Sequence, residues 1–389
     1  MALAAQSQPA PSPEQTARSL LDILNAFLAE TRSAGAPVVT AALDSHLERD
    51  LGLDSLGRYE LWLRVEQAFE VGVSDDTLAQ IETPRDMLRA LLAGSKRHAH
   101  AADVVQLAEA RAEAAPESAT TLLEVLDWHL RAHPDRTTIT LLEGDEGHST
   151  MTHADLARAA EAVAGGLQRE GLEPGQAVAM MLPTSREFFA AYYGTLLAGG
   201  VPVPIYPPFR LAQLADHVRR QAGILQSSLA RVLVTFREAK PVGMLLRGQV
   251  PSLAHVVTVH DLEEHGARPA RVAVTGDDIA FIQYTSGSTG NPKGVVLTHA
   301  NLLANMRAMI RATGATPADV FVSWLPLYHD MGLIGAWLNT LYCAIPLVVM
   351  SPLSFLSRPA RWLWAIHRYR GTISAGPNFA YELCASRLD

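Results

Sequence analysis

The stretch from Gln283 to His299, QYTSGSTGNPKGVVLTH, gathers glycines, hydroxyl residues and one lysine between two apolar runs. Glycine lets the backbone adopt positive φ and approach a ligand closely. Successive backbone N–H groups in such a turn form a concave anion site, and hydroxyl groups add further donors. Lys293 supplies a point charge that suits phosphate. These residues predict a loop that binds a polyphosphate.

The segments around this loop distinguish it from a P-loop, in which G-x-x-x-x-G-K-S/T joins a strand to a helix. Here Lys293 follows a proline and precedes Gly294, with no hydroxyl residue directly after it. The flanking segments IAFIQY and GVVLTH both have the apolar character of strands, and a helix is predicted to begin only near Thr298 to Asn301. The pattern therefore predicts a strand–loop–strand unit and disfavours a kinase or P-loop triphosphatase.

Length and composition place the chain among globular proteins. Its 389 residues suffice for two or three domains, and 48% apolar with 19% charged residues argues against global disorder. Cys343 and Cys384 lack metal-ligand spacing, which fits a reducing, cytoplasmic setting, and the first 13 residues lack the pattern of a secretory signal. The apolar run from Leu333 to Met350 is interrupted by polar residues and a proline. This run predicts a buried helix followed by a buried parallel strand, and no membrane span.

The negative charge is concentrated near the N-terminus. Residues 19–94 carry 13 acidic residues and 6 arginines, a net charge of −7, out of −8 for the whole chain. This distribution argues against nucleic-acid binding, which needs a basic face, and favours basic partner surfaces for the first domain.

Changes in pattern along the chain predict four segments. Residues 1–12 form a disordered tail, and 13–94 form a small all-α bundle that starts at Ser12-Pro13-Glu14-Gln15, the signature of a helix cap. Residues 95–119, rich in Ala and charge, are expected to be a linker. From 120 to 389, helical and apolar strand patterns alternate, which predicts an α/β domain with largely parallel sheets.

Ser55 lies in LGLDSL, where the second helical pattern begins. For an isolated D-S-L tripeptide, a helix cap is the commoner interpretation. Here the acidic bundle, the Leu-Gly-Leu loop and the amphipathic helix that follows agree, and residues 15–93 resemble acyl or peptidyl carrier proteins. The resemblance implies that a separate phosphopantetheinyl transferase attaches 4′-phosphopantetheine to Ser55. The positive end of a helix would favour the phosphodiester there.

Residues 120–389 resemble adenylate-forming enzymes, a superfamily of acyl-CoA synthetases, fatty-acyl-AMP ligases, luciferases and amino-acid adenylation domains. The pattern from Tyr284 to Gly294 carries the likeness. It implies that a carboxylate attacks the α-phosphorus of ATP, with Mg²⁺ bridging phosphate oxygens. The residues expected to hold the β- and γ-phosphates are Thr285, Ser286, Gly287, Ser288, Thr289, Gly290 and Lys293. The metal ligands remain unknown, because the family's metal-binding glutamate lies beyond this sequence.

The segment WLPLYHDMGLIG resembles fatty-acyl-AMP ligases more than amino-acid-activating domains. His329 and Asp330 are expected to shape the acyl and adenylate pocket, although a lone His-Asp is more often a surface pair. Gly376, Pro377 and Asn378 are expected to line the same pocket. Five aromatic residues are candidates for an acyl tunnel, with core packing the commoner interpretation for each one: Trp324, Trp337, Trp362, Trp364 and Phe379.

Together the resemblances imply activation of a fatty acid to acyl-AMP and its transfer to the carrier arm, with downstream acyl-transfer, polyketide or peptide synthase domains as partners. The adenine motif, the ribose-binding aspartate and the adenylation lysine of the family do not occur up to Asp389. We therefore expect this chain to be the N-terminal piece of a longer protein and inactive by itself. The alternatives are an acyl-CoA ligase, an amino-acid adenylation domain, or a non-catalytic carrier module with an incomplete ligase.

Overall fold

The computed structural model divides the chain into two compact units, residues 1–101 and 102–389, and each is considered by itself. It describes residues 12–31, 40–47, 49–53, 61–62, 64–65, 68–69, 71–72, 81–93, 95–96, 104–105, 107, 116–144, 147–208, 214–264, 268–285 and 292–386.

The first unit begins with helix α1 (Pro13–Thr31), which starts where the sequence predicts. The Gln15 N–H donates to Ser12 Oγ over 3.3 Å, and the Ser12 N–H donates to Gln15 Oε1 over 3.0 Å. This reciprocal capping pair satisfies two N–H groups at the helix start.

Further helical backbone occurs at 61–62, 64–65 and 68–69, and α2 spans Pro84–Ala93. Two short strands, β1 (Val71–Gly72) and β2 (Ser95–Lys96), pair in antiparallel fashion. The apolar stripes of these segments meet in one core, which confirms the helical bundle. Its most deeply buried members include Leu20, Leu24, Phe27, Leu61, Trp62, Val65 and Met87.

The second unit alternates helices and strands, as the sequence predicts. Its strands are β3 (Thr137–Glu143), β4 (Gly147–Thr152), β5 (Ala177–Met181), β6 (Val201–Pro204), β7 (Val232–Thr235), β8 (His255–Thr258), β9 (Ile279–Thr285), β10 (Lys293–Thr298), β11 (Phe321–Ser323), β12 (Leu347–Val349) and β13 (Ile373–Ser374). Its α-helices are α3 (Leu122–Ala132), α4 (His153–Arg169), α5 (Arg186–Leu197), α6 (Leu214–Ser227), α7 (Lys240–Arg247), α8 (Val259–Glu263), α9 (His299–Thr313), α10 (Asn339–Tyr342), α11 (Pro352–Ser357), α12 (Ala360–Arg368) and α13 (Asn378–Ser386).

These strands form two sheets and a hairpin. One sheet has the order β6-β5-β7-β8 and is parallel throughout; the other has the order β13-β11-β12-β3-β4, with only β3 and β4 antiparallel. Strands β9 and β10 pair with each other in antiparallel fashion. The fold class predicted from the sequence is therefore confirmed.

The apolar run from Leu333 to Met350 forms a helix followed by the parallel strand β12, as predicted, and both are buried. The sequence pattern did not show that the first part, Met331–Leu338, is a π-helix. Trp337 is fully buried there against Phe189 and Tyr192, with ring centroids 4.7 and 5.2 Å away. Within the described part of the chain, no helix is both long and apolar enough to span a bilayer.

Candidate functional site

The predicted phosphate-binding loop is the turn of the β9–β10 hairpin. Lys293 and Thr285 are directly opposite each other at its base, and the antiparallel pairing continues through Gly294 and Tyr284. The helix α9 starts only after β10, with Thr298 as its N-cap. This confirms the strand–loop–strand arrangement. Residues 286–291, which include the predicted phosphate ligands Ser286, Gly287, Ser288, Thr289 and Gly290, lie outside the described residues.

The two described members of this set are available to a ligand. Thr285 and Lys293 are both exposed, and Lys293 makes no ion pair with any described residue. A Cβ at Gly294 would lie 3.0 Å from both Ile282 Cγ2 and Tyr284 Cζ, so a larger residue there would require these side chains to shift. The hairpin therefore presents one ammonium and one hydroxyl group on the two strands that enclose the loop.

The hairpin is joined to the segment that carries the predicted His-Asp pair. Gln283, in the middle of β9, is 7% exposed, and its Nε2 donates to the Tyr328 carbonyl over 2.9 Å. Its Oε1 has no hydrogen-bond partner in the described structure. The sequence interpretation missed this residue, although a glutamine facing the interior of an otherwise apolar strand was a visible signal.

His329 and Asp330 form the expected neighbouring pair at the start of the π-helix. His329 Nδ1 and Asp330 Oδ1 are 2.6 Å apart, and Asp330 Oδ1 also accepts from the Met331 N–H over 2.7 Å. Both side chains are about 60% exposed, at 62% and 60%. Among described residues, no hydrogen bond connects either of them to Gly376, Pro377 or Asn378.

A group of rings next to Tyr328 was not predicted. Tyr206, which follows β6, has its ring centroid 6.1 Å from Tyr328 and 5.0 Å from His217 of α6. Arg220 places its guanidinium 5.7 Å from the centre of the Tyr206 ring. Burial lowers the pKa of His217 and raises the pKa of Tyr328. Burial thus favours the neutral form of His217 beside the Tyr206 ring, and its Nε2 has no partner in the described structure.

Gly376 lies against two of the predicted aromatic residues. A Cβ at this position would be 3.3 Å from the Trp362 ring, a tight contact, and 3.5 Å from the Trp324 ring, an ordinary one. Trp362 Nε1 donates to Ser374 Oγ over 2.8 Å, and Trp324 stacks on Phe355 with centroids 3.9 Å apart.

The other predicted residues of this region are distributed between surface and core. Pro377 accepts from the Ala380 N–H over 2.9 Å, and Asn378 is exposed at the start of α13. Trp324, Trp337 and Trp362 are core residues, whereas Trp364 and Phe379 are 52% and 50% exposed. Trp337 belongs to a different apolar cluster from Trp324 and Trp362, so the five aromatic residues do not form one continuous wall.

In the first unit, Ser55 lies outside the described residues, but the loop before it is well defined. Leu51 and Leu53 are buried, at 2% and 5% exposure, on either side of Gly52, whose φ is +71°. The Leu53 N–H donates to the Leu47 carbonyl over 2.9 Å. Two leucines thus anchor the loop to the bundle, and a left-handed glycine between them lets both side chains turn inward.

Comparison with known proteins agrees with the fold. The chain belongs to the AMP-binding enzyme family, which matches residues 126–389. Residues 31–91 match the phosphopantetheine attachment site family.

Two curated relatives give a more specific comparison than the family matches. The chain is 33% identical over 273 residues to JamA, a medium-chain-fatty-acid acyl-carrier-protein ligase of Moorena producens, covering 69% of this chain and 46% of JamA. It is 33% identical over 321 residues to TtuA of Teredinibacter turnerae, a ligase of the same description, covering 70% of this chain and 48% of TtuA. The chain thus spans about half the length of these curated relatives.

A solved structure shares the fold. The fatty acyl-adenylate ligase from L. pneumophila, in complex with acyl adenylate and pyrophosphate, superposes with a TM-score of 0.63 at 33% identity, covering 70% of this chain and 46% of that chain.

Proposed function

We propose that residues 120–389 contribute to ATP-dependent activation of a fatty acid, and that residues 13–94 carry the activated acyl group. The observation that carries the proposal is the placement of Lys293 opposite Thr285 on the strands that enclose the glycine-rich loop. The relatives described as fatty-acid acyl-carrier-protein ligases support the fatty acid as substrate. The carrier match over residues 31–91 supports an acceptor in the same chain.

In the proposed first step, a carboxylate oxygen of the fatty acid forms a bond to the α-phosphorus of ATP. The bond from that phosphorus to the bridging oxygen breaks, and pyrophosphate leaves. The Lys293 ammonium and Thr285 hydroxyl would hold oxygens of the β- and γ-phosphates, together with N–H and hydroxyl groups of Ser286 to Gly290. Preorganised donors of this kind stabilise charge that develops on a leaving group.

Mg²⁺ would neutralise the phosphate charge and is expected to arrive with the nucleotide. Among the described residues, no three His, Cys, Asp or Glu side chains gather into a group that could hold a metal ion. Mg²⁺ in nucleotide sites is commonly held by phosphate oxygens, water and one or two carboxylates, so a site shared with ATP fits these residues.

A phosphopantetheine group on Ser55 would supply the thiol that accepts the acyl group. The anchored Leu51–Leu53 loop precedes Ser55 by two positions in the sequence, and a phosphopantetheinyl transferase is proposed as the partner that modifies this serine. His329, Asp330, Gly376, Pro377 and Asn378 are proposed to shape the acyl and adenylate pocket without transferring protons. The setting is proposed to be the cytoplasm, with acyl-transfer, polyketide or peptide synthase domains receiving the product.

The experiment is made on the product of the complete reading frame, converted to its phosphopantetheine form. Labelled fatty acids and amino acids are supplied with ATP, with and without free CoA. Label is expected on the Ser55 peptide with fatty acids only. Predominant acyl-CoA would identify a CoA ligase, amino-acid-dependent labelling would identify an amino-acid adenylation domain, and no labelling would leave only a carrier role.

A further inference from the structure

Part of the segment predicted as linker is attached to the second unit. The Val105 N–H donates to the Arg368 carbonyl over 2.9 Å. Arg368 is the last residue of α12, where helix carbonyls lack partners within the helix. The contact therefore satisfies a group that the helix itself leaves unpaired.

Apolar contacts support the same attachment. Val105 and Leu107 are half-buried against the cluster that contains Trp324, Trp362 and Tyr369, whereas Val104 is 42% exposed. Residues 105 and 107 are two positions apart, the spacing at which an extended chain places side chains on one face, with 104 on the other. The burial of these three residues matches that alternation.

A second attachment lies at the other end of the segment. Arg307 of α9 donates through its Nη2 to the carbonyls of Glu117 and Ala119, over 2.8 and 2.7 Å. The same guanidinium donates through Nε to the Tyr342 hydroxyl over 3.1 Å. The chain is thus held on the second unit both at Val105 and just before α3.

We infer that Val105 and Leu107 form an anchor that sets the pivot of the carrier at Val105 rather than at the end of the segment near residue 119. The covalent path from Lys96, at the end of β2, to Val104 is eight residues long and cannot exceed about 29 Å. For a random-coil tether, local concentration falls roughly as the −3/2 power of length. A tether of eight residues instead of 25 therefore raises the local concentration of the carrier about fivefold for any site within reach.

The consequence for acyl transfer rests on the proposed function, but the anchor does not. In carrier-linked activation, the pivot would limit which face of the second unit the Ser55 arm can visit.

The test compares hydrogen exchange of the intact chain with that of two released variants and one matched control. Val105→Pro removes the donor, Leu107→Asp removes the apolar contact, and Val104→Asp changes the exposed neighbour in the same segment. In the unmodified chain and in Val104→Asp, the Val105 amide is expected to exchange at least about tenfold more slowly than in Leu107→Asp. Exchange of Val105 at the rate of an unstructured peptide, or equal rates in the unmodified chain, Val104→Asp and Leu107→Asp, would overturn the anchor. Val105→Pro has no amide at this position and serves the scattering test below.

Small-angle scattering tests the pivot. Release at Val105 lengthens the path to the next attachment at Glu117, so the radius of gyration and the largest dimension are expected to rise in Val105→Pro and Leu107→Asp but not in Val104→Asp. Unchanged dimensions in the released variants would overturn the pivot even with the anchor present. Loading of phosphopantetheine on Ser55, measured by mass on the same samples, reports on the carrier function separately.

Discussion

Lys293 and Thr285 face each other across the base of the β9–β10 hairpin, so that one cation and one hydroxyl group flank the glycine-rich turn from opposite strands. A P-loop would instead place its lysine at the start of a helix, where backbone N–H groups converge on the phosphate. In this chain the helix α9 starts only after β10 ends at Thr298. Lys293 is therefore presented from a strand, and its position depends on strand pairing.

Replacement of Lys293 tests its contact with phosphate. A hydrogen bond to a charged group contributes about 1.5–3 kcal/mol, so Lys293→Ala is expected to weaken ATP binding about 10- to 100-fold by calorimetry. Lys293→Arg keeps the charge and should lose less ATP affinity than Lys293→Ala. Arg311→Ala, which removes an exposed cation from the last turn of α9, serves as the control and should bind ATP normally. Equal affinity of Lys293→Ala and the unmodified chain would contradict the assignment.

Intact-mass measurement tests the attachment site for phosphopantetheine. After incubation with a phosphopantetheinyl transferase and CoA, one arm is expected per chain, and none in Ser55→Ala. Ser45→Ala is the matched control, since Ser45 also lies in a loop of the first unit but accepts a hydrogen bond from the Ala42 N–H over 3.0 Å. A mass increase that persists in Ser55→Ala would show that another residue carries the arm.

The buried His299 is expected to contribute to stability through a single hydrogen bond. Its Nδ1 accepts from the Leu122 N–H over 3.1 Å, which joins the start of α9 to the start of α3, and the residue is 1% exposed. His299→Leu leaves that N–H unpaired and should lower the free energy of unfolding by about 1–3 kcal/mol. His299→Asn offers an oxygen acceptor near the same position, so its free energy of unfolding should fall by less than that of His299→Leu. Urea unfolding measures both, and equal losses would mean that packing rather than the acceptor matters.

Two stacked histidines predict a loss of stability in mild acid. The rings of His129 and His153 are 4.4 Å apart, and the residues are 0% and 1% exposed. Burial lowers the pKa of His129 to about 3, with the neighbouring His153 adding to the effect, and lowers the pKa of His153 to about 4. Below about pH 6.5, the unfolded chain therefore binds protons that the folded chain excludes.

The free energy of unfolding is therefore unaffected by these histidines above about pH 6.5. It falls as pH drops toward about 4 for His153 and about 3 for His129, by up to about 1.4 kcal/mol per pH unit for each histidine. His129→Leu is expected to flatten the pH dependence of the unfolding free energy across this window. The exposed His148→Leu is the control and should retain the original slope. An unchanged slope in His129→Leu would disprove the buried-histidine explanation.

Local sequence patterns predicted the helices and strands that depend on interactions between neighbouring residues. The Ser12–Gln15 cap needs only four residues, and α1 begins at Pro13 as expected. Strand–loop–strand around the glycine-rich turn followed from apolar runs on both sides, and β9 and β10 occupy them. The parallel sheets followed from alternation of helices and strands, because parallel strands need crossovers.

Contacts between distant segments could not be predicted in this way. Gln283 is hydrogen-bonded to Tyr328, which is 45 positions away in the sequence, and Arg307 to Glu117, which is 190 positions away. The candidate tunnel residues likewise lie in different places, because each packs with segments distant in sequence. Trp337 packs against α5, whereas Trp324 and Trp362 lie against Gly376. Aromatic character alone does not distinguish a core from a pocket wall.

By itself, the sequence determined the types of element, since hydrophobic periodicity is a property of neighbouring residues. It also predicts the polyphosphate loop and the carrier-like serine from local glycine, hydroxyl and lysine chemistry. Only the tertiary structure decided that Lys293 is opposite Thr285, that His129 stacks on His153, and that Val105 is held by Arg368. The physical reason is that such contacts form when chain segments far apart in sequence bury a common apolar surface, and burial then selects which polar groups are paired or kept neutral.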